Sequence, residues 1–162
     1  AHARVGRPAR IIAKMNALNE GGVIEQLYRA SCAGVRVDLI VRGACALRPG
    51  LAGVSDNITV RSVVGRFLEH SRVYWFANDG QPELFCASAD WMERNLLRRI
   101  ETCFPIIDPE LAVRVYDESL VNYLADNTQA WLLHADGSYR RVDPGEDMPH
   151  SAQLALLAKL CM

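Results

Sequence analysis

The pattern of apolar and polar residues divides the first part of the chain into strand, helix and strand. Residues 9–15, "ARIIAKM", follow Pro8, are rich in branched side chains and predict a buried strand. After a polar break at 16–22, apolar residues recur at helical spacing until Gly34, a residue typical of the position after a helix. Residues 35–42, "VRVDLIVR", predict a second strand. Short connections in a strand–helix–strand unit predict that the two strands are parallel.

The middle of the chain predicts four more strands and one long loop. The loop covers residues 43–57, contains several glycines and a proline, and begins where the second strand ends. Ligands of open α/β sheets bind outside the carboxyl ends of strands, and loops of this length are usually functional. A short helical turn is predicted at 65–70, a hairpin turn at 78–81, and a loop or short helix at 91–99. The predicted strands are residues 58–64, 72–77, 83–88 and 101–106.

The last third of the chain predicts a helix, a hairpin and a final helix. Asp108 and Pro109 form a typical helix start, and the apolar pattern continues to about residue 127. Residues 128–142 predict a hairpin closed by Asp136 and Gly137, and residues 150–162 predict an amphipathic helix. We therefore expect one α/β domain over residues 1–162, in which helices flank a mixed sheet. Within it we distinguish a core at 9–107 from a helix–hairpin–helix segment at 108–162.

Composition supports a globular protein of one domain. The chain has 162 residues, of which 50% are apolar and 23% charged. No apolar run approaches the roughly 20 residues of a membrane span, so we expect no transmembrane segment. The five cysteines are odd in number and form no C-x-x-C pair, which argues against a disulfide framework or a zinc site. This cysteine usage favours a reducing compartment, and we expect a cytoplasmic location.

The type and position of the cations are more informative than the net charge. A net charge of −1 predicts no nucleic-acid surface. Apart from Lys14 and Lys159, every basic residue is an arginine, and six arginines but only three acids lie between residues 35 and 72. A genome that prefers arginine codons is one explanation for the overall bias. Phosphate recognition is the other, because the planar guanidinium binds phosphate oxygens in pairs.

Common nucleotide and metal motifs are absent. The chain has no G-x-x-x-x-G-K-[ST], no G-x-G-x-x-G, no H-E-x-x-H and no G-x-S-x-G. Side chains must therefore hold any bound nucleotide, and no spacing of cysteines and histidines predicts a metal site in this chain.

Polar side chains follow several predicted strands at the point where each strand ends. Lys14 and Asn16 close the first strand, Arg42 closes the second, and Arg66 and His70 lie in the turn after the third. Each residue alone is more commonly solvated or structural. Together, at one edge of a sheet, they would form a cationic mouth in which His70 donates or relays a proton near neutral pH. Four further residues follow the fifth strand: Ser88, Asp90, Arg94 and Asn95.

Four segments in series resemble a known family. "IIAKMNAL", "GVRVDLIVRGACALRPG", "ITVRSVVGRFLEHSRVYWF" and "SADWMERNLLRRIE" look like the C-terminal catalytic domain of bacterial polyphosphate kinases. The similarity runs over roughly residues 6 to 160 and includes the final helix with its "HSAQ" start. The resemblance implies a phospholipase D-like α/β fold and reversible transfer of the ATP γ-phosphate to inorganic polyphosphate.

The resemblance also implies roles for individual residues. The arginine of "LIVRG" is Arg42, expected to contact ATP phosphates, and the histidine of "LEHSR" is His70, expected to bind ATP and act as an acid or base. The phosphohistidine intermediate, the magnesium ligands and most adenine contacts would lie on preceding domains that this chain lacks. The implied small-molecule partners are ATP, ADP and polyphosphate. The implied protein partners are those preceding domains and further copies of the chain in a homo-oligomer. Peripheral association with the inner membrane is an alternative to a purely cytoplasmic location. Phosphate contact is inferred from position and charge alone for five residues: Lys14, Asn16, Arg61, Arg66 and Arg94.

Two other functions remain open at this point. A phospholipase D-type phosphodiesterase needs H-x-K followed four residues later by Asp, usually in two copies. Here Ser71 and Arg72 follow His70, Ala77 occupies the position of the Asp, and no second copy exists. The other alternative is a non-catalytic module that binds anions or mediates oligomerisation.

Overall fold

A single mixed β-sheet dominates the computed structural model, which describes Arg7 and residues 9–161. Among these residues the sheet has eight strands in the order β6-β5-β4-β1-β2-β3-β7-β8. The α/β class and the mixed sheet predicted above are confirmed. The strands are β1 Arg10–Met15, β2 Arg36–Val41, β3 Ile58–Val63, β4 Arg72–Phe76, β5 Glu83–Ala87, β6 Cys103–Pro105, β7 Ala130–Leu133 and β8 Tyr139–Arg141.

The directions of the central strands bring the predicted polar residues to one edge. β1 is parallel to β2, as predicted, and β2 is parallel to β3. β4 is antiparallel to β1, and β5 is antiparallel to β4. The carboxyl ends of β1, β2 and β5 therefore lie beside the start of β4. We call this side of the sheet the site edge, and the prediction of a common edge is confirmed.

Helices cover both faces of the sheet. α1 is Gly21–Cys32, α2 is Glu93–Arg98, α3 is Pro109–Tyr116, α4 is Asn122–Leu124 and α5 is Ala152–Leu160. A π-helical turn, Asp117–Val121, joins α3 to α4, and a 3₁₀ turn, Asn78–Gly80, closes the hairpin of β4 and β5. Within the described residues, no helix combines the length and apolar character that a membrane crossing needs.

Local signals explain both ends of α1. The Glu20 carboxylate accepts hydrogen bonds from the backbone N–H groups of Gly22 (3.0 Å) and Val23 (2.6 Å) and so caps the helix. α1 therefore begins two residues earlier than the apolar pattern predicted. The helix ends before Gly34, whose φ of 87° confirms the predicted stop.

Alternate strand residues form two apolar clusters, one on each face of the sheet. Ala13 and Leu39 pack on the face covered by α1, whereas their neighbours Ile12 and Ile40 pack on the face covered by the helices of the last third. Leu39 is fully buried, which stabilises the fold by about 2 kcal/mol relative to an exposed leucine. The central strands are thus buried on both sides, as parallel strands in α/β proteins usually are.

The last third of the chain extends the same sheet. β7 pairs antiparallel with β3, with Arg61 opposite Leu132, and β8 pairs with β7. The helix predicted to continue to about residue 127 ends earlier, with α4 at Leu124. Residues 9–107 and 108–162, distinguished above by sequence, therefore share one sheet where the structure describes them.

The helical turn predicted at residues 65–70 is wrong. The segment is an irregular loop, and we call residues 64–71 the site loop. The backbone N–H and C=O of Phe67 both bond to the side chain of Gln153. Those groups are therefore engaged by a distant side chain rather than by a helical turn.

Candidate functional site

An ion pair between Arg72 and Asp90 lies at the centre of the site edge. Arg72 Nε and Nη2 donate to the two carboxylate oxygens of Asp90 at 3.1 and 3.0 Å, a bidentate arrangement. Arg72 Nη1 donates to the carbonyl oxygen of His70 at 2.7 Å. Because both side chains are mostly buried, the pair gives the backbone of His70 a fixed anchor.

Asp90 also anchors the end of β1. It accepts a hydrogen bond from the backbone N–H of Asn16 at 2.7 Å. Burial alone would raise the pKa of Asp90, but the hydrogen bonds from Arg72 and Asn16 outweigh it and lower this pKa below the ordinary value of 3.8. Asp90 is therefore a carboxylate that links three segments of the edge.

The side chain of Asn16 is buried and engaged within the protein. With its amide oriented so that oxygen meets donors and nitrogen meets an acceptor, the oxygen accepts from Arg72 and the nitrogen donates to the carbonyl oxygen of Glu69. The same amide lies 3.4 Å from Nδ1 of His70. The Asn16 amide therefore lies beside the His70 imidazole.

Lys14 is a buried cation beneath the edge. Its Nζ lies 2.8 Å from Glu69 Oε2 and 2.6 Å from Ser71 Oγ, and 4.4 Å from the ring centroid of Tyr123. Burial lowers the pKa of Lys14, and the charges of Arg42 and Arg72 lower it further, although Glu69 acts in the opposite direction. Lys14 thus adds positive charge to the site from below.

Arg42 has no carboxylate partner among the described residues. Its N–H donates to the carbonyl oxygen of Met15 at 3.2 Å, and its own carbonyl oxygen accepts from Ser62 Oγ at 2.8 Å. Lys14 pairs with Glu69 and Arg72 pairs with Asp90, whereas no carboxylate among residues 7 and 9–161 pairs with Arg42. The charge of the half-buried Arg42 guanidinium is therefore not neutralised by a carboxylate of the described chain.

His70 is exposed and lies beside an apolar groove. The groove has a volume of about 490 Å³, and its lining includes Phe67, Leu68 and the α5 residues Leu157 and Leu160. The carbonyl oxygen of His70 is bound by Arg72 while the ring remains accessible. The structure thus combines a fixed backbone with an imidazole that a ligand can reach.

The other three predicted phosphate contacts have surroundings of their own. Arg61 Nη1 donates to the carbonyl oxygens of Tyr123 and Leu124 and so caps the end of α4. The exposed Arg66 lies over the ring of Phe67, 5.7 Å from its centroid. Arg94, on α2, lines a separate cavity of about 360 Å³.

Residues that sequence reasoning missed complete the site. Glu69 and Arg72 flank His70 in "RFLEHSR", which was the available signal, but their partners are not visible in the pattern. Tyr123 OH and Gln153 Nε2 both donate to Glu69 Oε1, at 2.9 and 2.6 Å, across 54 and 84 residues of sequence. Such pairings depend on the tertiary fold and carry no local signature.

The site edge does not fit a magnesium ion. Within the described chain, no group of three or more His, Cys, Asp and Glu side chains is arranged to hold a metal. The carboxylates of Glu69 and Asp90 are already engaged by Lys14 and Arg72. That magnesium ligands lie outside this chain stays a prediction.

Replacing Asp90 with asparagine is expected to lower the free energy of unfolding by about 2 kcal/mol at pH 7, because Arg72 would lose its charged partner. The pKa of Asp90 is depressed in the folded state, so its contribution is present above the unfolded value near 3.8 and is lost as pH falls through the folded value. Urea unfolding from pH 7 to acidic pH measures the difference between wild type and variant, which should shrink on acidification.

Asp117→Asn is the matched control for this change, since Asp117 is an exposed aspartate on the π-helical turn. It should alter the free energy of unfolding by less than about 0.5 kcal/mol. Equal stability of Asp90→Asn and Asp117→Asn would contradict the anchoring role of Asp90.

Comparisons with known proteins agree with this fold. The family model described as "Polyphosphate kinase C-terminal domain 2" matches residues 1–153. The chain is similar to the Polyphosphate kinase of Xylella fastidiosa strain 9a5c, with 67% identity over 159 residues that cover 98% of this chain and 23% of that protein. It is also similar to the Polyphosphate kinase of Pseudomonas aeruginosa, with 58% identity over 161 residues, 99% of this chain and 23% of that protein.

A solved structure shows the same fold. The crystal structure of polyphosphate kinase from Porphyromonas gingivalis matches with a TM-score of 0.94 and 42% sequence identity, covering 99% of this chain and 24% of that one. The mixed α/β fold expected from the sequence motifs is thereby confirmed. The chain spans about a quarter of the length of these relatives.

Proposed function

Because the chain belongs to the polyphosphate kinase C-terminal domain 2 family, we propose that it forms one half of a polyphosphate kinase active site. The complete enzyme reversibly transfers the γ-phosphate of ATP to the end of an inorganic polyphosphate chain. The observation that carries the proposal is the Arg42 guanidinium, a cation without a carboxylate partner among the described residues, at the edge that also presents His70.

Charge neutralisation is the main task of this half-site. Phosphoryl transfer places negative charge on several oxygens and depends on positioning and electrostatic stabilisation. Arg42 would bind phosphate oxygens directly, since its guanidinium is free to present paired N–H donors. Lys14 and Arg72 raise the local positive potential, and Glu69 and Asp90 neutralise only two of the three cations.

His70 supplies a titratable group beside that charge. In the proposed reaction, the bond between the γ-phosphorus and its bridging oxygen breaks and ADP leaves, as a phosphorus–nitrogen bond forms on a histidine outside this chain. The polyphosphate terminus then takes the phosphoryl group and frees that histidine. His70 would contact the ATP phosphates and donate or accept a proton during these steps, a role that its accessible imidazole supports.

The proposal extends to cofactor, partners and location. ATP, ADP and polyphosphate are the small-molecule partners, and preceding domains of the same polypeptide supply the phosphohistidine and the magnesium ligands. We further propose a cytoplasmic enzyme that assembles as a homo-oligomer.

A chimera tests this proposal. In the Xylella fastidiosa enzyme, this chain would replace the segment to which it is 67% identical. We expect the chimera to synthesise polyphosphate from ATP, measured by ³¹P NMR, and the isolated chain to produce none, because the phosphohistidine is missing.

The unaltered Xylella fastidiosa enzyme is the positive control, and thermal unfolding reports whether the chimera is folded. A folded chimera that makes no polyphosphate would contradict the proposed function. Synthesis by the isolated chain would contradict the assignment of the phosphohistidine to another domain.

A further inference from the structure

The side chain of Gln153 binds the site loop from the first turn of α5. Its Oε1 accepts from the backbone N–H of Phe67 at 2.9 Å, and its Nε2 donates to the carbonyl oxygen of Phe67 at 2.8 Å. The same Nε2 donates to Glu69 Oε1 at 2.6 Å. Gln153 is 6% exposed, so these bonds are shielded from water. All of them end on the loop that carries His70.

Glu69 connects this contact to the cationic side of the site. Its Oε1 accepts from Gln153 and from Tyr123 OH, and its Oε2 pairs with Lys14. Burial is the largest cause that raises the pKa of Tyr123, and Glu69 raises it further, so the phenol keeps the proton that it donates. The side chain of Glu69, the residue immediately before His70, is therefore held by groups from β1, α4 and α5.

Gly65 provides the space that Gln153 needs. A Cβ atom at position 65 would lie 2.5 Å from Oε1 and 2.9 Å from Cδ of Gln153. No carbon atom packs that close, so any larger residue would displace the amide from the loop. The glycine and the glutamine are thus spatially matched, although 88 positions separate them in the sequence.

We propose that Gln153 is a positioning residue that holds the site loop so that the His70 imidazole faces the phosphoryl group. This inference rests on the proposed function. Gln153 reaches no ligand itself and acts through Phe67 and Glu69. The start of α5, the "HSAQ" segment, is then a component of the phosphoryl-transfer site.

The structural half of the proposal is tested without activity. In the chimera, Gln153→Leu removes all three hydrogen bonds at similar side-chain volume. We expect peptides that cover the site loop to exchange amide hydrogens about 10-fold faster or more by mass spectrometry, because Phe67 N–H loses its acceptor. Leu154→Ala, an exposed change on the same helix, should leave this exchange unchanged. Equal exchange in Gln153→Leu and wild type would contradict the claim that Gln153 holds the site loop.

The catalytic half is tested by a double-mutant cycle. Gln153→Leu should lower kcat about 10-fold or more and change the KM for ATP less than about threefold, since loop position matters most in the transition state. In a His70→Ala background the same change should cost almost nothing further. If Gln153→Leu lowered kcat by the same factor in the wild-type and His70→Ala backgrounds, its role would be merely structural. That result would overturn the proposal.

Gly65→Ala disturbs the same contact between Gln153 and the site loop, but from the loop. This variant replaces Gln153→Leu in the test if Gln153→Leu does not fold. It should lower kcat to a similar degree in the wild-type background and have little effect in Gln153→Ala, where the added Cβ has room. Equal losses from Gly65→Ala in both backgrounds would contradict the pairing of these two residues.

The outcomes separate the two proposals. Full activity of His70→Ala would contradict the proposed function, and loop exchange would still decide whether Gln153 holds the loop. Loss of activity in His70→Ala with full activity in Gln153→Leu would overturn the positioning role alone.

Discussion

Replacing His70 with alanine in the chimera is expected to lower the rate of polyphosphate synthesis by about 10²- to 10⁴-fold, the range typical of an acid or base. The reason is that the imidazole is accessible while Arg72 holds its backbone and Asn16 approaches its ring. Initial rates with saturating ATP measure kcat. His70→Asn keeps hydrogen-bonding atoms but cannot act as an acid or base, so it should remain well below wild type.

His134 offers the matched control for this change. It lies in the β7–β8 turn, where its N–H donates to the carbonyl oxygen of Ser138, and it is not part of the site edge. His134→Ala should retain at least about half of the wild-type rate. If His70→Ala and His134→Ala were equally active, the assignment of His70 to the transfer site would be wrong.

Arg42→Ala is expected to lower kcat/KM for ATP by about 10²- to 10³-fold, the typical cost of removing one electrostatic donor from an active site. Lys14 and Arg72 cannot replace it, because each is already paired with a carboxylate. Arg42→Lys keeps the charge without the planar fork and should recover only part of the loss. Initial rates over a range of ATP concentrations measure this, and added salt should weaken ATP binding in the wild type more than in Arg42→Ala.

Arg29→Ala is the control for a lost arginine. Arg29 is exposed on α1 and forms only a surface pair with Glu25 at 3.8 Å, which contributes little. Its replacement should leave kcat/KM within about twofold. A similar small effect for Arg42→Ala would show that Arg42 does not bind the transferred phosphate.

Local patterns were sufficient for the parallel strands and for the common edge. β1 and β2 are short apolar runs separated by a helix that ends before Gly34, and each of these signals lies within a few residues. Given two parallel strands, the residues that follow them must lie side by side. Asn16 and Arg42 could therefore be assigned to one edge before the fold was known.

The same reasoning did not predict the shape of the site loop or the partners of Arg61. The loop is shaped by the Gln153 amide, which reaches Phe67 across 86 positions. Arg61 is at a strand position beside the cationic residues, but its guanidinium caps the end of α4 because β7 and the last helices pack next to β3. In both cases the decisive partner lies far along the chain, so no nearby residue type signals it.

The amino-acid sequence by itself determined the α/β class, the parallel pair and the edge at which polar residues gather, because hydrophobic periodicity and turn residues act over short distances. Only the tertiary structure decided which of those polar residues face outward. Lys14 and Asn16 are buried and paired, whereas Arg42 has no carboxylate partner within the described chain and the His70 ring is exposed. The physical reason is that a charge is neutralised by whichever opposite charge folding brings within about 4 Å, and that partner is set by packing rather than by sequence spacing.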